Sequence, residues 1–78
     1  MSRTLDVRRL LCPLPVIRTQ DRVADLTPGE ELEIVATDPG VLHDLPAWCR
    51  INGHDVLSTT QRDGEIRVQI RIGATHGG

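Results

Sequence analysis

Residues 66 to 72 alternate without a break, with Ile66, Val68, Ile70 and Ile72 set against Arg67, Gln69 and Arg71. A period of two over this length is a strand with one apolar face, and that face needs a second layer to cover it. The remainder of the chain holds the parts for both layers. Thr4 to Val7 reads as a short first strand, with Leu5 and Val7 on one face and Thr4 and Asp6 on the other. Glu31 to Thr37 reads as a second, with Leu32, Ile34 and Ala36 inward and Glu31 and Glu33 toward water. Asp55 to Thr60 is a third, joined to the last through Arg62-Asp63-Gly64-Glu65, whose Asp-Gly pair is a hairpin signal.

Two helical segments separate these strands. The first follows Pro15 and runs to about Leu26; its expected inner face is Val16, Ile17, Val23 and Ala24, and Thr27-Pro28-Gly29 ends it. The second runs from about Val41 to Asn52 with Val41, Leu45, Trp48 and Cys49 on one stripe, and Gly53 is its natural cap. An interior proline removes a hydrogen bond, so Pro46 allows a second placement, with the start nearer Asp44 and the proline in the first turn. The order is βαβαββ. The expected fold is a two-layer α/β (α+β) sandwich, a four-stranded mixed sheet with two helices on one face. One domain spans residues 1–78, with an ordered core over about 4–72 and a flexible tail over 73–78.

Composition narrows the function classes. Trp48 is the only aromatic residue, so Leu, Ile, Val and Ala must build the core. The net charge is -2, and all nine basic residues are arginine. A nucleic-acid-binding module of this size shows a basic face or stacking aromatics, and neither is present in the sequence. No apolar stretch approaches the ~20 residues of a membrane helix, and Arg3, Asp6, Arg8 and Arg9 interrupt any leader-like run. The expected location is the cytoplasm, where Cys12 and Cys49 stay reduced.

The chemistry is concentrated at Cys12-Pro13-Leu14-Pro15, between the first strand and the first helix. A helix N-terminus carries unpaired N–H groups and partial positive charge, which favour a thiolate. Prolines fit a first helical turn and stiffen it. A residue before proline resists helical geometry. Either Cys12 is the N-cap with Leu14 strained, or the helix starts at Pro15 with Cys12 just outside. Arg8, Arg9, Arg18 and Arg22 bracket the motif and are candidates for stabilising an anionic sulfur and for docking an acidic partner. Asp38, at the start of the second helix, is a weaker docking candidate, and an ordinary turn or N-cap role fits it as well. Cys49 reads as a core residue rather than a resolving thiol. The spacing of His43, Cys49 and His54 matches no zinc pattern, so no metal is expected; both histidines read as solvated. Arg67 and Arg71 read as a solvated strand face.

These residues together resemble the TusA/SirA-like sulfur carrier family. The resemblance runs from Leu5 to about Ile72: Leu5-Asp6, Cys12-Pro13-Leu14-Pro15, Leu26 with Gly29, Thr37-Asp38-Pro39, Asp44-Leu45-Pro46-Ala47-Trp48-Cys49 and Gly53-His54. It implies that Cys12 accepts sulfane sulfur as a persulfide and passes it on, a sulfurtransferase activity that turns over only with partners. The donor would be a cysteine desulfurase or a rhodanese-like protein, the acceptor another protein cysteine, and no cofactor is needed. Transfer RNA thiolation, molybdenum cofactor assembly and sulfur oxidation are compatible destinations. A monomer forming transient complexes is expected, with no direct nucleic-acid or membrane contact. Arg9 stands where the family usually has glycine, and the first helix carries Arg18, Gln20 and Arg22 where the family is usually rich in lysine. Two other readings compete. One is a non-catalytic regulatory or RNA- or protein-binding module of the same fold. The other is a carrier using a C-terminal thiocarboxylate on Gly77-Gly78, whose ββαββ order does not fit.

Overall fold

The computed structural model describes residues 2–73. Six elements follow one another: β1 (Ser2–Val7), α1 (Leu14–Val23), β2 (Glu31–Ala36), α2 (Val41–Asn52), β3 (Asp55–Arg62) and β4 (Glu65–Arg71). The sheet order is β1-β2-β4-β3. β1 and β2 are parallel, from Ser2 against Glu31 to Val7 against Ala36. β4 runs antiparallel to both β2 and β3. This is the expected mixed sheet in βαβαββ order.

The core lies between the sheet and the helices. Leu32, Ile34 and Ala36 of β2 and Ile66, Val68 and Ile70 of β4 are buried, as their alternation predicts. Val41, Leu45 and Cys49 meet them from α2, and Trp48 packs at the margin with its ring centroid 5.0 Å from that of His54. On the opposite face Arg67 pairs with Glu33 and Glu65, and Arg71 with Asp55. These strand-face arginines are exposed but paired across the sheet, and such pairs add little stability.

Several expectations shift. The inner stripe of α1 is Pro15, Thr19 and Val23, continued by Leu26 beyond the helix. Ile17 and Ala24 point outward, and Val16 is half-buried. Thr19 is tolerated inside because its hydroxyl donates to the Pro15 carbonyl, 2.8 Å away. α2 starts at Val41, so Pro46 lies inside the helix and not in its first turn. β3 lies at the edge of the sheet, all eight of its residues are exposed, and its register slips between Val56 and Ser58. His54 is buried, not solvated: its Nδ1 accepts the Gly73 amide at 3.0 Å. Gly73 is therefore tied to the fold. A Cβ there would lie 1.6 Å from the Gly53 carbonyl oxygen, so only glycine fits. The rest of the expected tail, including Gly77-Gly78, lies outside the described residues.

Candidate functional site

β1 and β2 end side by side at Val7 and Ala36, so the loops that follow them rise from the same edge of the sheet. The carboxyl ends of parallel strands are where open α/β sheets form their sites. The loop after β1 carries Cys12, and the loop after β2 carries Thr37-Asp38-Pro39-Gly40. Three hydrogen bonds hold the loops. The Arg9 amide donates to Thr37 Oγ1 at 2.9 Å, and the Cys12 amide donates to Asp38 Oδ2 at 2.6 Å. The other oxygen of Asp38 accepts the Gly40 amide at 3.0 Å. One carboxylate thus fixes the cysteine backbone and the start of α2 together. These two N–H groups hold the Asp38 pKa below its ordinary value.

Pro13 is the N-cap of α1 (φ -95°, ψ 13°), and the Cys12–Pro13 peptide is cis. Leu14 begins the helix and Pro15 follows in the first turn. Cys12 therefore stands just outside α1, the second of the two arrangements open at the motif, although the helix starts one residue earlier than Pro15. Its sulfur faces the opening turn of α2. The thiol donates to Asp44 Oδ2, and a Cβ placed on Gly40 would sit 3.4 Å from Sγ. The sulfur occupies space that a side chain at position 40 would crowd.

This geometry reverses the expected electrostatics. A sulfur at a helix start was expected to lose its proton readily, with arginines assisting. The Cys12 pKa is instead pushed up to about 11, first by the hydrogen bond to Asp44, then by partial burial and the negative charges of Asp44 and Asp38. No arginine is among the groups that act on it. Arg8 is occupied elsewhere, with Asp6 at 2.9 Å and Glu65 at 3.5 Å. Arg9 is exposed, with a left-handed φ of 70°. Arg18 is exposed on α1, and Arg22 is half-buried with a shielded, unpartnered Nε.

Cys12 is half-buried, whereas Cys49 is buried in the core, where loss of solvation and then the charge of Asp55 push its pKa up to about 11. Both thiols are free. Among the described residues no group of three or more His, Cys, Asp or Glu side chains is gathered as a metal site, and no helix is long and apolar enough to cross a membrane.

The sequence reading missed two features. Asp44 passes for an ordinary acid in a helix first turn, a position the helix dipole favours. Its contact with Cys12 spans 32 residues and leaves no local signal. The second is an apolar rim: Leu11, Leu14 and Ile17 are 73%, 43% and 46% exposed, within and just beyond the cysteine motif. Their spacing of three was the available clue.

Comparison with known proteins places these features in a family. The profile described as Sulfurtransferase TusA matches residues 3–72. The chain is 47% identical to the "Putative sulfur carrier protein YrkF" of Bacillus subtilis over 73 residues, which is 92% of this chain and 39% of that protein. The chain therefore spans about two fifths of YrkF. Similarity to "Putative sulfur carrier protein YrkI" of the same organism is 38% over 72 residues, 92% of this chain and 96% of that one. The "Sulfur carrier protein TusA" of Pseudomonas paraeruginosa is 37% identical over 67 residues, covering 86% of this chain and 85% of the relative.

Proposed function

The chain belongs to the sulfurtransferase TusA family, and from that premise we propose that it carries sulfane sulfur as a persulfide on Cys12. The observation that carries this reading is the contrast between its two thiols. Cys49 is 1% exposed and closed in the core, while Cys12 is half-buried at the rim, with its backbone amide held by Asp38 from the loop after β2. A carrier needs a sulfur that a second protein can reach and that is held in one place.

In this reading a donor persulfide, on a cysteine desulfurase or rhodanese-like protein, presents its outer sulfur to Cys12. Sγ bonds to that sulfur, the donor's S–S bond breaks, and the donor leaves as a thiol or thiolate. An acceptor cysteine then repeats the exchange on the loaded carrier. The cargo stays covalently on Cys12, so no cofactor takes part, and turnover requires both partners. Leu11, Leu14 and Ile17, in and flanking the cysteine motif, give those partners exposed apolar surface. A reducing cytoplasm suits such a thiol.

Intact-mass measurement after incubation with a persulfide donor tests this. Added sulfur is expected on the wild type and on Cys49→Ala, removable by reductant, and absent from Cys12→Ser. Failure of the wild type to gain sulfur from any competent donor would leave Cys12 a structural residue in a binding module.

A further inference from the structure

The thiol of Cys12 meets a carboxylate where an activated thiol would meet a cation. Asp44 accepts the S–H from the first turn of α2, Asp38 holds the Cys12 amide from the loop before it, and Gly40 closes on the sulfur. The charged groups that act on Sγ are these two carboxylates, and neither α1 nor the strand ends add another. Such a pocket suits a sulfur that still has its proton. It is hostile to an anionic sulfur, which has no hydrogen to share and faces two negative charges.

We propose that Asp44 is a positioning residue that latches the empty carrier in its thiol form, and that loading with sulfur opens the latch. This rests on the persulfide reading of Cys12. A persulfide is a stronger acid than the parent thiol. In the loading step an anionic donor persulfide meets the protonated Cys12: the new S–S bond forms at Sγ, the donor's S–S bond breaks, and the Cys12 proton ends on the donor sulfur. Atoms and charge balance, and the negative charge moves onto the outer sulfur of the carrier. Asp44 then repels what it had held, and the terminal sulfur turns out of the pocket toward water. Empty and loaded carriers thereby present different surfaces at one site, so a donor and an acceptor recognise different states of the same protein. The latch also keeps the empty thiol from reacting with solutes before a donor arrives.

Iodoacetamide labelling of Cys12, followed by mass spectrometry on the tryptic peptide 10–18, reads the latch without any protein donor. For the empty wild type, labelling should rise with an apparent pKa of about 11. Asp44→Asn keeps the size of the side chain and removes its charge. It should shift the apparent pKa toward ~9 and speed labelling at pH 7.5 about tenfold, since ~100-fold more thiolate is partly offset by lower nucleophilicity. Asp44→Glu should restore a high apparent pKa. The persulfide is then made with inorganic polysulfide, and on the loaded protein the gap between wild type and Asp44→Asn should close. An ordinary apparent pKa in the wild type, or unchanged labelling in a folded Asp44→Asn, overturns the latch. An equal gap in empty and loaded proteins overturns its opening. The wild-type profile stands even where the variant does not fold. Failure of donor proteins to load Cys12 counts against the carrier reading and leaves the labelling result on the empty thiol unaltered.

Discussion

Arg9 holds its backbone at φ 70°, in the left-handed region where a Cβ is crowded, and its amide is the one that Thr37 captures. Glycine would reach this φ without crowding, and the turn that lifts Cys12 toward the loop after β2 needs it. Arginine accepts the strain and places a charged side chain at the edge of the site. Arg9→Gly is expected to stabilise the fold by about 0.5–1 kcal/mol, because relief of strain exceeds the added freedom of the unfolded chain. Urea unfolding measures this; a loss of stability would mean that the arginine side chain makes a compensating contact. Cys12 stood out in the sequence because two prolines mark it. Asp44 did not, because nothing local distinguishes an acid that meets a thiol from one that only suits a helix terminus.

The helices differ in how far their sequences describe them. In α2 the stripe of Val41, Leu45, Trp48 and Cys49 is the observed one, and Gly53 ends the helix with φ 79° as its amide bonds back to the Cys49 carbonyl. Its start was legible only as two alternatives, since Pro46 fits a first turn better than an interior. Packing of Val41 and Leu45 overrides that preference and keeps the proline inside. Pro46→Ala restores an amide donor toward the Leu42 carbonyl and should stabilise the protein by about 1–2 kcal/mol, visible as a higher Tm. No gain would show that the helix has bent to accommodate the ring at little cost. In α1 the sequence stripe was displaced toward Ile17 and Ala24, because hydropathy ranks isoleucine above threonine for burial. Thr19 enters the core by satisfying its hydroxyl on the turn before it, and Ile17 stays outside, exposed.

Across the whole molecule, one layer of aliphatic side chains joins sheet to helices, and Leu45 lies fully buried within it. Leu45→Ala is expected to cost about 2–4 kcal/mol, a large share of the stability of so small a domain. The midpoint of urea unfolding should fall accordingly, and the loops holding Cys12 should loosen, because Leu45 follows Asp44 directly in α2. A change below 1 kcal/mol would mean that the core collapses around the gap. The sequence by itself determined the element order, the apolar faces of β2 and β4, the burial of Cys49 and the cysteine to examine. Each follows from local periodicity or from a residue type whose chemistry is its own. Tertiary structure decided that β4 lies between β2 and β3, that β1 and β2 end together, and that the loops after them close on one sulfur. Those facts depend on which strands pair, and pairing across 29 to 40 residues is set by the packing of the whole core. The charge environment of Cys12 follows from that packing, and with it a guarded thiol in place of the activated thiolate that the motif suggested.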